Sequence, residues 1–164
     1  MNIQQEVEAI LNEQLRHEFE SAYAYLGLAA ALEPKGWSGF SHWMKKQYEE
    51  ELTHAMKIFE YIHERQGTVR LQNFECPNFS LECPCEAFQK AYEFEIKNTQ
   101  NIHKAYEVAL KAADYATLSF LEWFIQEQVE EEAQCQSYVT DTHRAAKHQD
   151  FGTMVLLDRE AGKR

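Results

Sequence analysis

Four acids stand where apolar residues belong. Glu18, Glu51, Glu95 and Glu131 each interrupt the apolar stripe of a segment with helical periodicity, and His54 and Gln128 interrupt two of the same stripes. Glu51 and His54 form Glu-x-x-His, a spacing of three that puts both side chains on one helical face. Buried carboxylates in a group cannot all remain ionised unaided, because desolvation and mutual repulsion raise their pKa values or open the site. No Lys or Arg shares these stripes at that level to pair with them. Two divalent cations would neutralise the set, and carboxylate with imidazole suits iron, manganese or zinc. Spacing alone therefore marks a candidate two-metal site, one that holds two ions close enough to share a reactant.

The elements that must position these side chains follow from the periodicity. One segment repeats at Ile3, Val7, Leu11, Gln14, Glu18, Ala22, Tyr25, Ala29 and Leu32, and the next at Phe40, Met44, Gln47, Glu51, His54/Ala55, Ile58 and Ile62. A third runs Phe88, Tyr92, Glu95, Thr99, Ile102, Tyr106 and Ala109, and a fourth Leu121, Phe124, Gln128, Glu131, Cys135 and Tyr138. Steps of three and four keep each series on one face of a helix. Breaks fall at Pro34 to Gly39, from Gly67 through Pro77 to Pro84, at Asp114 and near Gly152. The pattern predicts helices over 3–33, 37–66, 84–113 and 116–146 and a short fifth over 151–161, in one all-α domain spanning 1–164.

Short links make helices one and two antiparallel neighbours, and likewise three and four. The link over 67–83 spans roughly 50 Å when extended, against about 45 Å for a helix of ~30 residues. It can therefore cross the full length of a four-helix bundle, in place of an up-down-up-down arrangement. In that arrangement the four glutamates, each interior to its helix, come to one level of one core.

Bulk properties narrow the function classes. The 164 residues are 45% hydrophobic, enough for a sizeable core. Lys+Arg 16 against Asp+Glu 27 gives a net charge of −11, which repels nucleic acid and anionic membranes and attracts cations. The first residues, Met1 to Glu6, show no basic stretch followed by an apolar run, so a secretory leader is not expected and a cytoplasmic location is.

The motifs together carry a family resemblance. They are Leu11-Asn12-Glu13-Gln14 leading to Glu18, Tyr25, the run Glu49-Glu50-Glu51-Leu52-Thr53-His54, Glu95, and Trp123-Phe124-Ile125-Gln126-Glu127-Gln128-Val129-Glu130-Glu131-Glu132. With these the chain resembles a bacterial-type non-haem ferritin, a ferritin-like di-iron carboxylate protein, over nearly its whole length. The resemblance implies a four-helix bundle with a long crossover between helices two and three and a short fifth C-terminal helix. It implies that Glu18, Glu51 and His54 hold a first iron and that Glu51 bridges to a second, bound also by Glu95 and Glu131. Gln128 would lie beside the pair, Tyr25 would hydrogen-bond near its centre, and Trp123 would lie close by. Glu50, Glu127 and Glu130 match a third iron site. The implied activity is ferroxidase: oxidation of Fe(II) by O2 or H2O2, with mineral stored in a homo-oligomeric shell of twenty-four subunits and the fifth helix at a symmetry axis.

Two departures bear on the subfamily. Haem-binding bacterioferritins carry Met after the bridging Glu and a second Glu-x-x-His on helix four, whereas here Leu52 follows Glu51 and helix four has Gln128-x-x-Glu131. No haem is therefore expected. Rubrerythrin-like proteins also use two Glu-x-x-His motifs, often with a Cys-x-x-Cys domain, and neither is present. The alternatives are a structural cage or metal buffer without fast oxidation, and a small di-iron oxidase acting on an organic substrate or peroxide.

Other residues have plainer readings. The runs Glu49 to Glu51 and Glu130 to Glu132 also suit a solvated helix face. Tyr92, Tyr106, Phe124 and Tyr138 read as core, and His17, His42, His63, His103, His143 and His148 as surface. Cys76, Cys83, Cys85 and Cys135 read as reduced, with Cys83 and Cys85 too close for an easy disulfide. A soft metal on the Cys76, Cys83 and Cys85 trio lacks a fourth ligand, and Pro84 reads as a first helical residue.

Overall fold

The computed structural model describes residues 2–164. Five helices carry the fold: α1 (Gln5–Leu32), α2 (Ser38–Glu64), α3 (Pro84–Lys111), α4 (Tyr115–Lys147) and α5 (Phe151–Ala161), with a short 3-10 turn over Glu33–Lys35. Each long helix ends within a few residues of its expected limits, where a cap or breaker sits. Gly36 closes the 3-10 turn that follows α1 with a left-handed φ of 82°, a conformation that costs glycine least. Pro84 begins α3 in the first helical turn, where its missing N–H is no loss. Asp114 and Asp150 cap α4 and α5, accepting from the backbone N–H groups of Thr117 at 3.1 Å and Thr153 at 2.9 Å.

Helices α1 and α2 pack together, as do α3 and α4, and α1 also packs on α3. The core contents give the directions. One apolar cluster joins Leu28 and Leu32 late in α1 with Phe40 and Met44 early in α2, Phe88 early in α3 and Ala145 late in α4. The other joins Val7 and Leu11 with Ile58 and Ile62, Ile102 and Ala109, and Leu118 and Leu121. Helices α2 and α3 therefore run the same way, and the residues between them return along the whole bundle. This is the expected four-helix bundle with a long crossover and a short fifth helix. The start of that crossover is tied to α1: Asn12 donates to the Thr68 carbonyl at 3.0 Å and accepts from the Arg70 N–H at 2.6 Å, while Glu8 pairs with Arg70 at 2.6 Å. Arg65, at the end of α2, binds Asp114 at the start of α4 through both carboxylate oxygens at 3.0 Å.

The fifth helix lies against α2 and α4. It approaches the first turn of α2 so closely that a Cβ on Gly39 would fall 1.7 Å from the Asp158 carbonyl oxygen. Asp158 then accepts from the Phe40 N–H at 2.8 Å, satisfying a donor at the α2 terminus. Among the described residues no helix is long and apolar enough to cross a membrane.

One expectation is corrected. Cys83 and Cys85 form a disulfide, with Cα atoms 5.2 Å apart, while Cys76 and Cys135 are free. Cys83 lies just outside α3 with extended backbone, φ −131° and ψ 144°, so the chain turns into the helix between the two cysteines. Their Cα separation therefore lies within the ordinary range for a bridge, which residue spacing alone did not reveal. The bridge also removes two thiols from the soft-metal trio.

Candidate metal centre

Between the two apolar clusters the interior is polar. Glu18, Glu51 and Glu95 are at most 1% exposed, and His54, Gln128 and Glu131 at most 5%. Each is held facing inward because the same helical face carries the apolar clusters farther along toward both ends of the bundle.

Three of the four acids are held by donors. Glu18 accepts from Gln14 at 2.7 Å and from Asn98 at 3.2 Å, and Gln14 also donates to Asn98 at 2.8 Å. Glu95 accepts from the Tyr25 hydroxyl on one oxygen and from Gln128 at 3.0 Å on the other. Glu131 accepts from Gln47 at 2.6 Å. Glu51 is different: neither of its buried oxygens has a hydrogen-bond partner among the described residues. Glu18 is close by, and the two carboxyl groups can share a hydrogen bond only when one of them is protonated.

The electrostatics follow from this crowding. Burial, then the charges of Glu95 and Glu18, hold the Glu51 carboxyl well above the usual carboxylate range. Burial pushes Glu95 up to about 7, against the opposing pull of the Tyr25 and Gln128 hydrogen bonds. Burial and the Glu95 charge push Glu131 up to about 7. Burial beside Glu95 also keeps the Tyr25 phenol protonated, far above its ordinary value. No Lys or Arg pairs directly with these four acids among the described residues.

A cation fits this arrangement. Glu18, Glu51 and His54 bring ligand atoms within 4.8 Å of one another, all from buried residues. A second set, His54, Glu127 and Glu131, does the same. Glu95 belongs to neither close set; one of its oxygens accepts from Tyr25 and the other from Gln128. Trp123 packs edge-on against His54, ring centres 5.4 Å apart. Of the remaining candidates, Glu127 and Glu50 are half-buried and Glu130 is exposed. Glu50 is paired with Arg164 at 2.7 Å. Phe124 is buried, while Tyr92, Tyr106 and Tyr138 are half-buried against the core.

The sequence reading assigned no role to the outer amides. Gln14 and Gln47 lie on the predicted stripes, and a buried amide four residues before an acid was the available signal. Asn98, 2% exposed, lies three residues after Glu95, next to the Thr99 that the stripe had favoured. Arg164 carried no signal, being distant in sequence from every acid it approaches.

Comparison with known proteins agrees with this geometry. The family model described as Ferritin-like domain matches residues 8–145. The bacterial non-heme ferritin of Staphylococcus aureus (strain MRSA252) is 32% identical over 154 residues, covering 94% of this chain and 92% of that protein. The corresponding protein of Staphylococcus haemolyticus gives the same identity and coverage. Among solved structures, an open-pore ferritin from the hyperthermophilic archaeon Archaeoglobus fulgidus superposes with a TM-score of 0.96 at 39% identity, covering 99% of each chain. A form of the Archaeoglobus fulgidus ferritin closed by site-directed mutagenesis gives the same score and identity over 99% of this chain and 98% of that one. A buried acid cluster at the waist of a long-crossover bundle, and relatives matched along nearly their entire length, place this chain in the ferritin family.

Proposed function

We propose that this protein is a ferroxidase that takes Fe(II) as substrate at the buried centre and stores the oxidised iron. The observation that carries the reading is Glu51, whose two unpartnered oxygens lie where a carboxylate is tolerable only beside a cation. Glu18, Glu51 and His54 supply a first iron position. Glu51 faces across to Glu95 and Glu131 for a second, with Gln128 beside it. Oxygen donors favour the higher charge of Fe(III), so the pocket assists the loss of an electron from each iron. With O2 as oxidant, two Fe(II) give two electrons, and these with two protons yield H2O2. With H2O2 as oxidant, the same two electrons and two protons yield two waters. The chain's own part is positional: Gln14, Asn98 and Gln47 hold Glu18 and Glu131, and Tyr25 and Gln128 hold Glu95.

Glu50, Glu127 and Glu130 form the proposed third iron position, through which oxidised iron passes to a mineral cavity. That cavity belongs to a cytoplasmic shell of twenty-four copies, with α5 packed near a symmetry axis. The acidic net charge favours nucleation of ferric oxide inside it.

The deciding measurement is stopped-flow oxidation of Fe(II) by the metal-free protein, with gel filtration of the same sample. A fast phase at two irons per chain in a large particle is expected, and Glu51→Ala should fold yet lose that phase. Equally slow oxidation by both proteins would reject the reading. A metal buffer within the same cage is the second reading, favoured by the absence of Glu95 from both close ligand sets. It gives one tightly held ion per chain and no fast phase.

A further inference from the structure

One cation that the stripes did not foreshadow lies against this centre. The Arg164 guanidinium donates through Nη2 to Glu50 Oε2 at 2.7 Å and through Nη1 to the Gln47 side-chain oxygen. It sits over the Trp43 ring, 5.1 Å from its centre, and the Arg164 carbonyl accepts from His42 at 3.0 Å. Its side chain is only 25% exposed, so it is lodged and not trailing in solvent. Gln47 is fully buried, and its amide nitrogen donates to Glu131 Oε2 at 2.6 Å. A guanidinium has donors only, so it fixes the Gln47 oxygen toward itself and turns the NH2 group onto Glu131. A two-bond tie thus runs from the residues after α5 to a proposed iron ligand.

We propose that Arg164 is a built-in cation that gates Glu50: an iron bound at Glu50, Glu127 and Glu130 must compete with the guanidinium for that carboxylate. The inference rests on the ferroxidase reading and adds what controls passage beyond the paired site. The guanidinium competes with a metal for the same Glu50 carboxylate, and its positive charge repels an approaching divalent ion. An ion pair this close to solvent is weak enough for such an ion to displace. Displacement also frees the Gln47 amide to turn, so Glu131 loses its enforced donor when the third position fills. Arg164 is accordingly a positioning residue, acting through Glu50 and Gln47.

The test titrates Zn(II), which is not oxidised, into the metal-free full chain by calorimetry. Wild type, Arg164→Gln, Arg164→Lys and the double variant Arg164→Gln/Glu50→Gln are compared. Arg164→Gln should bind the third ion about five- to tenfold more tightly, whatever shift the freed Gln47 amide brings to the phase that uses Glu131. Arg164→Lys, which keeps the charge, should stay near wild type, and adding Glu50→Gln should abolish the tightened phase. A third phase that is unchanged or weaker in Arg164→Gln overturns the gate and leaves the paired site standing. Absence of the first two phases from wild type itself overturns the ferroxidase reading, and the gate with it.

Discussion

The Nδ1 atom of His54 lies 3.6 Å from Oε2 of Glu51, one turn along the same helix. That separation exceeds a hydrogen bond, so the imidazole beside it leaves Glu51 without a hydrogen-bond partner among the described residues. Every other acid of the cluster has an amide or hydroxyl donor. Glu51→Gln should therefore stabilise the metal-free protein by on the order of 1–3 kcal/mol, since it removes a buried charge without changing volume. It should also weaken metal binding by more than the roughly 10–100-fold typical of losing an outer partner. Thermal denaturation with and without Zn(II) reads both, and a less stable metal-free variant would count against the picture.

The raised carboxyl groups fix the pH dependence of the metal-free protein. Glu95 and Glu131 titrate at about 7 when folded, against an ordinary value of 4.5, and Glu51 lies well above that value. Between those limits the native state holds more protons than the unfolded one, so stability falls as pH rises. The contribution is fully present below about 4.5 and is lost as pH passes through about 7. Melting temperature should therefore drop by several degrees between about pH 5 and about pH 7.5. Glu95→Gln should flatten that slope, and excess Zn(II) should reverse it.

Tyr25 donates to Glu95 and so opposes the upward push of burial on that acid. Tyr25→Phe should raise the Glu95 pKa further, and the pH at which Fe(II) oxidation becomes fast should move up by roughly half to one unit. The same change should cost about 1–2 kcal/mol in stability. Unchanged pH profiles for the two proteins would remove Tyr25 from the centre.

Gly39 permits the close approach of α5 to α2, because any side chain there would meet the Asp158 carbonyl oxygen. Gly39→Ala should displace α5, break the Phe40–Asp158 hydrogen bond and cost about 2–4 kcal/mol. Limited proteolysis should then cut near Gln149 and Asp150, at the junction before α5. Resistance equal to wild type would show that the contact is easily relieved.

The bundle and much of the centre could be read from the sequence, for a physical reason. A glutamate among Ala22, Tyr25 and Leu11, or among Met44, Ala55 and Ile58, breaks a pattern that water and packing enforce at every turn. Such a break is visible without coordinates. The amides that hold the acids were harder to see. Gln14, Gln47 and Asn98 carry no charge, and their meaning lies in the partner each meets on a neighbouring helix. Cys83 and Cys85 were misjudged because the change from extended chain to helix, not residue count, sets their separation. Arg164 was out of reach because its contacts depend on how α5 folds back over more than a hundred residues.

The core is divided into an apolar knot at each end, with the acids between them. Helices joined in this way are fastened by apolar packing at both extremities, while at the waist hydrogen bonds from helix to helix work against the repulsion of like charges. A change of charge or donor at the waist leaves both knots packed. Holding shape and exchanging cargo thereby fall to different stretches of the same helices, and a departing ion need not loosen the frame that admits the next.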